Sequence, residues 1–169
     1  MPAARRGLPI RDAVEADLPA IRAILNEAIA TTTARWSDEA ETTEAVAAWF
    51  AAATARRHPV LVAHDDGDVL GYGSFAPFRV LPGYRFTVEH TLYVRPAAQR
   101  RGIGGALLRA LTDRARAAGL HTMVGLIAAD NDASLALHRA AGFAVVGRME
   151  AVGYKFGRWL DLVLVQRMP

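Results

Sequence analysis

Apolar and polar positions change period several times along the chain, and those changes delimit its elements. Ile10 to Val14 reads as a short first strand. Ile21, Ile24, Leu25 and Ile29 then recur at helical spacing, behind Asp17 as the expected N-cap and with Pro19 just inside. The polar stretch from Thr31 to Glu41 predicts a loop, and Thr42 or Thr43 opens a second helix carrying Val46, Trp49 and Phe50. Val60-Leu61-Val62-Ala63 has the continuous apolar character of a buried strand. Asp65-Asp66-Gly67-Asp68 turns it into another, Val69 to Phe75.

Phe86 to Val94 alternates strictly after a loop containing Pro and Gly. Phe86, Val88, His90, Leu92 and Val94 share one face, and Thr87, Glu89, Thr91 and Tyr93 the other. Pro96 ends that strand. A third helix is predicted from about Gly102 to Ala118, with Ile103, Leu107 and Leu111 inward and Arg109, Asp113 and Arg116 outward; Gly119 supplies its C-terminal cap. Thr122 to Ile127 reads as a strand, Asp132 to Ala141 as a helix, and Phe143 to Glu150 and Trp159 to Val165 as the last two strands. The order β-α-α-β-β-β-α-β-α-β-β places the chain in the α/β class, with a mixed sheet covered by helices on both faces.

Composition narrows the chemistry. The 169 residues, 52% hydrophobic, suit one domain and exclude an unfolded chain. With no Cys there is no disulfide scaffold, thiolate metal site or Cys nucleophile, and no two of the five His have the HExxH spacing of a metal helix, so no metal is expected. Twenty basic residues against 17 acidic ones leave a surplus of +3, too small to argue for nucleic acid. Lys155 is the only lysine among those bases. Met1 to Gly7 lead into no apolar core of a signal peptide, and no apolar run is long enough to span a membrane, so a cytoplasmic protein is expected.

The sharpest local signal is Gln99-Arg100-Arg101-Gly102-Ile103-Gly104-Gly105-Ala106, between a strand and a helix. Glycines admit close backbone approach, and the N–H groups of a helix start favour anions, so a diphosphate fits. No Gly-Lys-Ser/Thr follows at P-loop spacing, and the third glycine of a dinucleotide fingerprint is missing.

Gln99 to Leu108 resembles the acetyl-CoA motif of the GCN5-related N-acetyltransferases (GNAT), and Asn131 to Phe143 resembles that superfamily's second motif. Thr87-Val88-Glu89-His90, Leu137-His138 and Lys155 to Leu162 are similar to its phosphinothricin acetyltransferase branch. The resemblance implies a single acyltransferase domain over residues 1–169, a mostly antiparallel sheet, acetyl-CoA as co-substrate, and a homodimer with the last strand at its edge. It implies acetylation of the α-amino group of phosphinothricin, methionine sulfoximine or methionine sulfone by direct transfer. On this pattern Leu92, Tyr93 and Val94 hold the pantetheine arm. Arg100, Arg101, Gly102, Ile103, Gly104 and Gly105 hold the pyrophosphate, and Asn131 and Ser134 lie beside the cofactor.

Glu89 is then the general base, or holds the water that is. His138 shares a helix stripe with Ser134 and Asn131 and stands where many members have a Tyr acid; proton transfer and cofactor contact or packing both stay open. Arg79, Pro82, Gly83 and Tyr84 fall in the expected amino-acid clamp, with Arg79 on the α-carboxylate. Pro82 and Phe86 depart from the branch's acidic and His residues. Trp36 is expected either as a pocket wall or in the core, and Trp159 and Asp161 as structural. Protein N-termini or polyamines are the alternative acceptors, and a non-catalytic acyl-CoA-binding module is the alternative class. No nucleic-acid or membrane partner is expected.

Overall fold

The computed structural model describes residues 9–169; Met1 to Gly7, on which the expectation of no leader peptide rests, lie outside the described residues. The strands are β1 (Ile10–Asp12), β2 (Val60–Asp65), β3 (Asp68–Pro77), β4 (Thr87–Val94), β5 (Thr122–Ala128), β6 (Ala144–Lys155) and β7 (Arg158–Arg167). The α-helices are α1 (Leu18–Thr31), α2 (Thr43–Ala55), α3 (Ile103–Ala117) and α4 (Asp132–Ala140). All seven strands join one sheet in the order β1-β2-β3-β4-β5-β7-β6. Only β4 and β5 run parallel; every other pair is antiparallel.

Period-2 side chains give this sheet two cores. Leu61, Ala63 and Leu70 point to the face covered by α3, where Leu107, Leu108 and Leu111 are fully buried and Leu135 and Leu137 of α4 pack alongside. Val60, Val62, Val69 and Tyr72 point to the opposite face, against Ile21 and Ile24 of α1 and Val46 of α2. Helices on both faces of a mixed sheet are what the element order implied, and its mostly antiparallel pairing is what the resemblance implied. No described helix is long and apolar enough to cross a membrane.

Several local expectations change. The first strand stops at Asp12, and Val14 begins a short 3₁₀ turn instead. Asp17 stands at the N-cap position of α1, as expected, but its side chain makes no capping bond to that helix. Its carboxylate accepts two hydrogen bonds from the Arg11 guanidinium and one from the Val14 N–H, and the ion pair outcompetes capping. Thr42 does cap α2, accepting from the Ala45 N–H at 3.1 Å. Phe86 lies outside β4 and is half exposed, although its carbonyl accepts from the N–H groups of His121 and Thr122.

The last two strands run longer than their alternation suggested, because irregular pairing between Met149 and Gly153 hides the period. Ala151 sits there at φ 48°, and Asp161 accepts its N–H at 2.8 Å while also pairing with Arg148. Phe156 and Gly157, both at positive φ, close the β6–β7 hairpin as a tight two-residue turn.

Candidate functional site

β4 and β5 pair only at Thr87–Thr122, Val88–Met123 and Glu89–Val124. Beyond Glu89, β4 continues along β3 to Val94 while β5 continues along β7 to Ala128, so the two halves of the sheet part. A cleft of about 90 Å³ opens between them, lined by residues from Glu89 to Tyr93, from Gly125 to Ala128, and by Asn131, Ser134 and His138. Along this opening the edge of β4 facing β5 has no strand partner, leaving its amide groups free for a ligand. Leu92 and Tyr93 line the cleft as expected. The Val94 side chain packs where Gly71 leaves room for it, while its backbone groups stay on the edge of β4 turned toward β5.

The glycine-rich turn stands at the start of α3. Gly102 is its N-cap at φ 83°, and an added Cβ there would meet nothing within 4 Å. Its glycine is therefore required by the left-handed backbone, not by crowding within the protein. Helix geometry leaves the N–H groups of Ile103, Gly104 and Gly105 without intrahelical acceptors, since the first such bond is Ala106 N–H to Gly102. Arg100 is exposed, whereas Arg101 reaches sideways to pair with Asp65 at 2.9 Å.

α4 presents the expected stripe of Asn131, Ser134 and His138. Asn131 Oδ1 caps the helix by accepting the Ser134 N–H at 3.0 Å. His138 is buried, and its Nδ1 lies 2.7 Å from the Ser134 carbonyl. A carbonyl can only accept, so Nδ1 carries the proton and Nε2 carries a lone pair. That lone pair faces His90 Nε2 at 2.8 Å, which fixes His90 as the donor and leaves its Nδ1 without a partner. Burial and the neighbouring His138 push the His90 pKa down to about 3, and burial also lowers that of His138. The pair is neutral, with both nitrogens of His138 engaged inside the protein.

Glu89 occupies the point where the strands part. Its partial burial raises its pKa, and Arg79, with Nη1 4.0 Å from Oε2, opposes that rise. On its other side lies a second pocket of about 420 Å³, which Glu89, Thr91 and Tyr93 also line. Trp49, Tyr72, Ser74, Arg35 and Glu41 are also among its walls, over an apolar base that includes Ile21, Leu25 and Val46. Arg35 and Glu41 are 3.4 Å apart, and Asn26 holds the Glu41 backbone through two hydrogen bonds.

Sequence reasoning missed these five residues and His90. Arg35 and Glu41 were hidden in a polar loop, and Trp49 and Tyr72 among core positions. His90 did carry a signal, being the one polar side chain on the apolar face of its strand.

Of the expected clamp, only Arg79 approaches Glu89. Pro82, Gly83 and Tyr84 form an exposed 3₁₀ turn, with Tyr84 stacked edge-on against Phe78. Trp36 lines neither pocket; its indole N–H donates to the Thr33 carbonyl and its ring lies on Gly153. Trp159 is exposed against Tyr154.

A sequence profile of the Acetyltransferase (GNAT) family matches residues 21–143. The chain is 50% identical over 158 residues to the L-methionine sulfoximine/L-methionine sulfone acetyltransferase of Pseudomonas paraeruginosa, covering 93% of this chain and 92% of that protein. The fold superposes on a phosphinothricin acetyltransferase of Sinorhizobium meliloti solved in complex with acetyl-CoA, with a TM-score of 0.92, 40% identity and coverage of 95% and 87% of the two chains. It also superposes on a ribosomal-protein-alanine N-acetyltransferase of Brucella melitensis, with a TM-score of 0.94, 43% identity and coverage of 96% and 100%.

Proposed function

The chain belongs to the GNAT acetyltransferase family, and from that premise we propose that it transfers the acetyl group of acetyl-CoA to the α-amino group of a small amino acid, with methionine sulfoximine, methionine sulfone and phosphinothricin as the acceptors to test first. One observation carries this reading. Glu89, a partly desolvated carboxylate, stands where a cleft between parted strands meets a separate pocket walled by aromatic and charged side chains.

The residues fit the donor. The unpaired edge of β4 offers the backbone groups of Leu92 and Val94 to the pantetheine arm, those of Tyr93 being turned toward Tyr72 of β3, and the α3 start offers N–H groups from Ile103 to Gly105 to the pyrophosphate. Arg100 adds charge there; Arg101 is already paired with Asp65. Asn131 has its oxygen committed to the helix cap, which leaves its amide N–H groups for the cofactor. When bound, acetyl-CoA supplies an activated thioester.

In the proposed reaction Glu89 takes the proton from the substrate ammonium, directly or through a water, so that the nitrogen lone pair can attack. Arg79, beside Glu89, receives the α-carboxylate and so holds the amine near the base. His138 serves as a cleft wall rather than as an acid, because its Nδ1 proton is bound to Ser134 and its Nε2 accepts from His90. A thiolate leaving group needs little help from an acid, since free thiols lose their proton near pH ~8.5.

The test is a thiol-release assay with acetyl-CoA across amino acids, sulfones, peptide N-termini and polyamines. Methionine sulfone and sulfoximine are expected to outpace methionine, and Glu89→Gln to lower turnover by about 10²–10⁴-fold with acetyl-CoA affinity retained. Preference for an alanine-initiated peptide would favour the activity named for the Brucella neighbour.

A further inference from the structure

Lys155, the chain's single lysine, is 1% exposed at the end of β6. Its ammonium donates three hydrogen bonds, to the carbonyls of Ile29 at 2.6 Å, Thr32 at 2.7 Å and Arg35 at 2.6 Å. Those carbonyls belong to the last turn of α1, its C-cap and the irregular segment that follows. A cation there answers the negative end of the helix and satisfies carbonyls that no further turn would reach. Three convergent acceptors suit a compact ammonium; the planar fork of arginine cannot aim three donors at them. The tight turn at Phe156 and Gly157 closes the hairpin next to Lys155, and the Phe156 ring lies 4.6 Å from its Nζ.

The same segment has two further anchors. Trp36 lies so close over Gly153 that an added Cβ would stand 2.2 Å from its ring. Thr33 Oγ1 donates to Asp130 at 2.8 Å, and Asp130 is paired with Arg158. Between these anchors, Ala34 lines the cleft between β4 and β5, and Arg35 lines the 420 Å³ pocket with Glu41 and Tyr93.

We propose that Lys155 is a positioning residue for the acceptor pocket: by gripping the backbone of residues 29–35 from the far side, it sets where the Arg35 guanidinium stands relative to Glu89. This rests on reading that pocket as the acceptor's. Lys155 lines neither the cleft nor the pocket, and a displaced Arg35 changes the pocket while leaving the β4 edge and the α3 start in place. The expected signature is selective. Apparent KM for the acceptor rises while acetyl-CoA binding is kept.

The experiment is a double-mutant cycle on the full chain, with Lys155→Met, Arg35→Ala and the double variant, each checked for folding by circular dichroism. Lys155→Met is expected to raise acceptor KM about 10-fold or more, with KM for acetyl-CoA within about 3-fold of native. In the Arg35→Ala background Lys155→Met should add less than about 2-fold, because both changes act on one element. Lys155→Arg and Trp36→Leu, which loosen the same segment by gentler means, should show the same split and keep the test open if Lys155→Met does not fold. Native acceptor KM in the folded variants, or effects that simply multiply in the double variant, would overturn the proposal. The cycle uses the acceptor that the native enzyme turns over fastest. A preference for peptides or polyamines therefore defeats the amino-acid reading while still deciding the role of Lys155.

Discussion

Two opposing influences act on the Glu89 carboxyl: burial disfavours its charged form, and the Arg79 guanidinium favours it. Removing Arg79 deletes the opposing influence alone, so the Glu89 pKa should climb further. In Arg79→Ala the acidic limb of the kcat/KM profile is expected to move to higher pH, together with a higher KM for amino acids and near-native acetyl-CoA affinity. An unmoved limb would separate Arg79 from the base. His90 allows a second test with a defined sign. Its folded pKa lies near 3 against an ordinary 6.5, so between those values the unfolded chain binds a proton that the folded chain refuses. Stability contributed by the neutral pair is thus present above about pH 6.5 and is lost as pH falls through that window. Thermal melting should drop on acidification, and less steeply in His90→Gln; equal slopes would show that the pair does not govern acid sensitivity.

The element that decides cofactor affinity is the turn into α3. Valine at φ 83° is strained by its own backbone, and it would also face the space where the pyrophosphate is proposed to lie. Gly102→Val is expected to weaken acetyl-CoA binding more than Arg100→Ala does, the latter costing about 1–2 kcal/mol as one charge-assisted contact. Calorimetry on folded protein measures both. Unchanged affinity in Gly102→Val would move the phosphate site elsewhere. α4 adds a related lesson. Its stripe of Asn131, Ser134 and His138 follows from helical spacing, as does the bond from His138 Nδ1 to Ser134, but the engagement of Nε2 depends on a strand 48 residues away.

At the scale of the whole molecule, β6 is an edge strand of 12 residues along which Val145, Val146, Met149, Val152 and Tyr154 stay exposed. Contiguous apolar surface of this kind on a sheet edge marks an association face. A second copy of the chain is the proposed occupant; the resemblance implied a homodimer with the last strand at its edge, but β7 is paired on both sides, by β5 and β6, so the free edge belongs to β6. Sedimentation should give twice the monomer mass of 18.2 kDa, and Val146→Glu should shift it toward one. A monomeric native protein would set that reading aside.

The amino-acid sequence by itself determined the order of elements, the two faces of β4 and the start of α3, because each is written in local periodicity or in a residue whose backbone is special. Glu89 falls on the polar face of its strand, and the glycines from Gly102 to Gly105 mark a turn into a helix whose start admits a close ligand; that Gly102 is left-handed is a finding of the structure. Tertiary structure alone decided what those elements enclose. The cleft exists because β4 follows β3 while β5 follows β7, a divergence that neither strand encodes alone. Arg35 and Tyr72 meet on one pocket wall although no spacing links them. Lys155 looked like any charged residue near a turn until the folded chain brought three carbonyls around it, more than 100 positions back along the sequence. Periodicity reports which way a side chain faces within its own element; what it then meets depends on the path of the whole backbone.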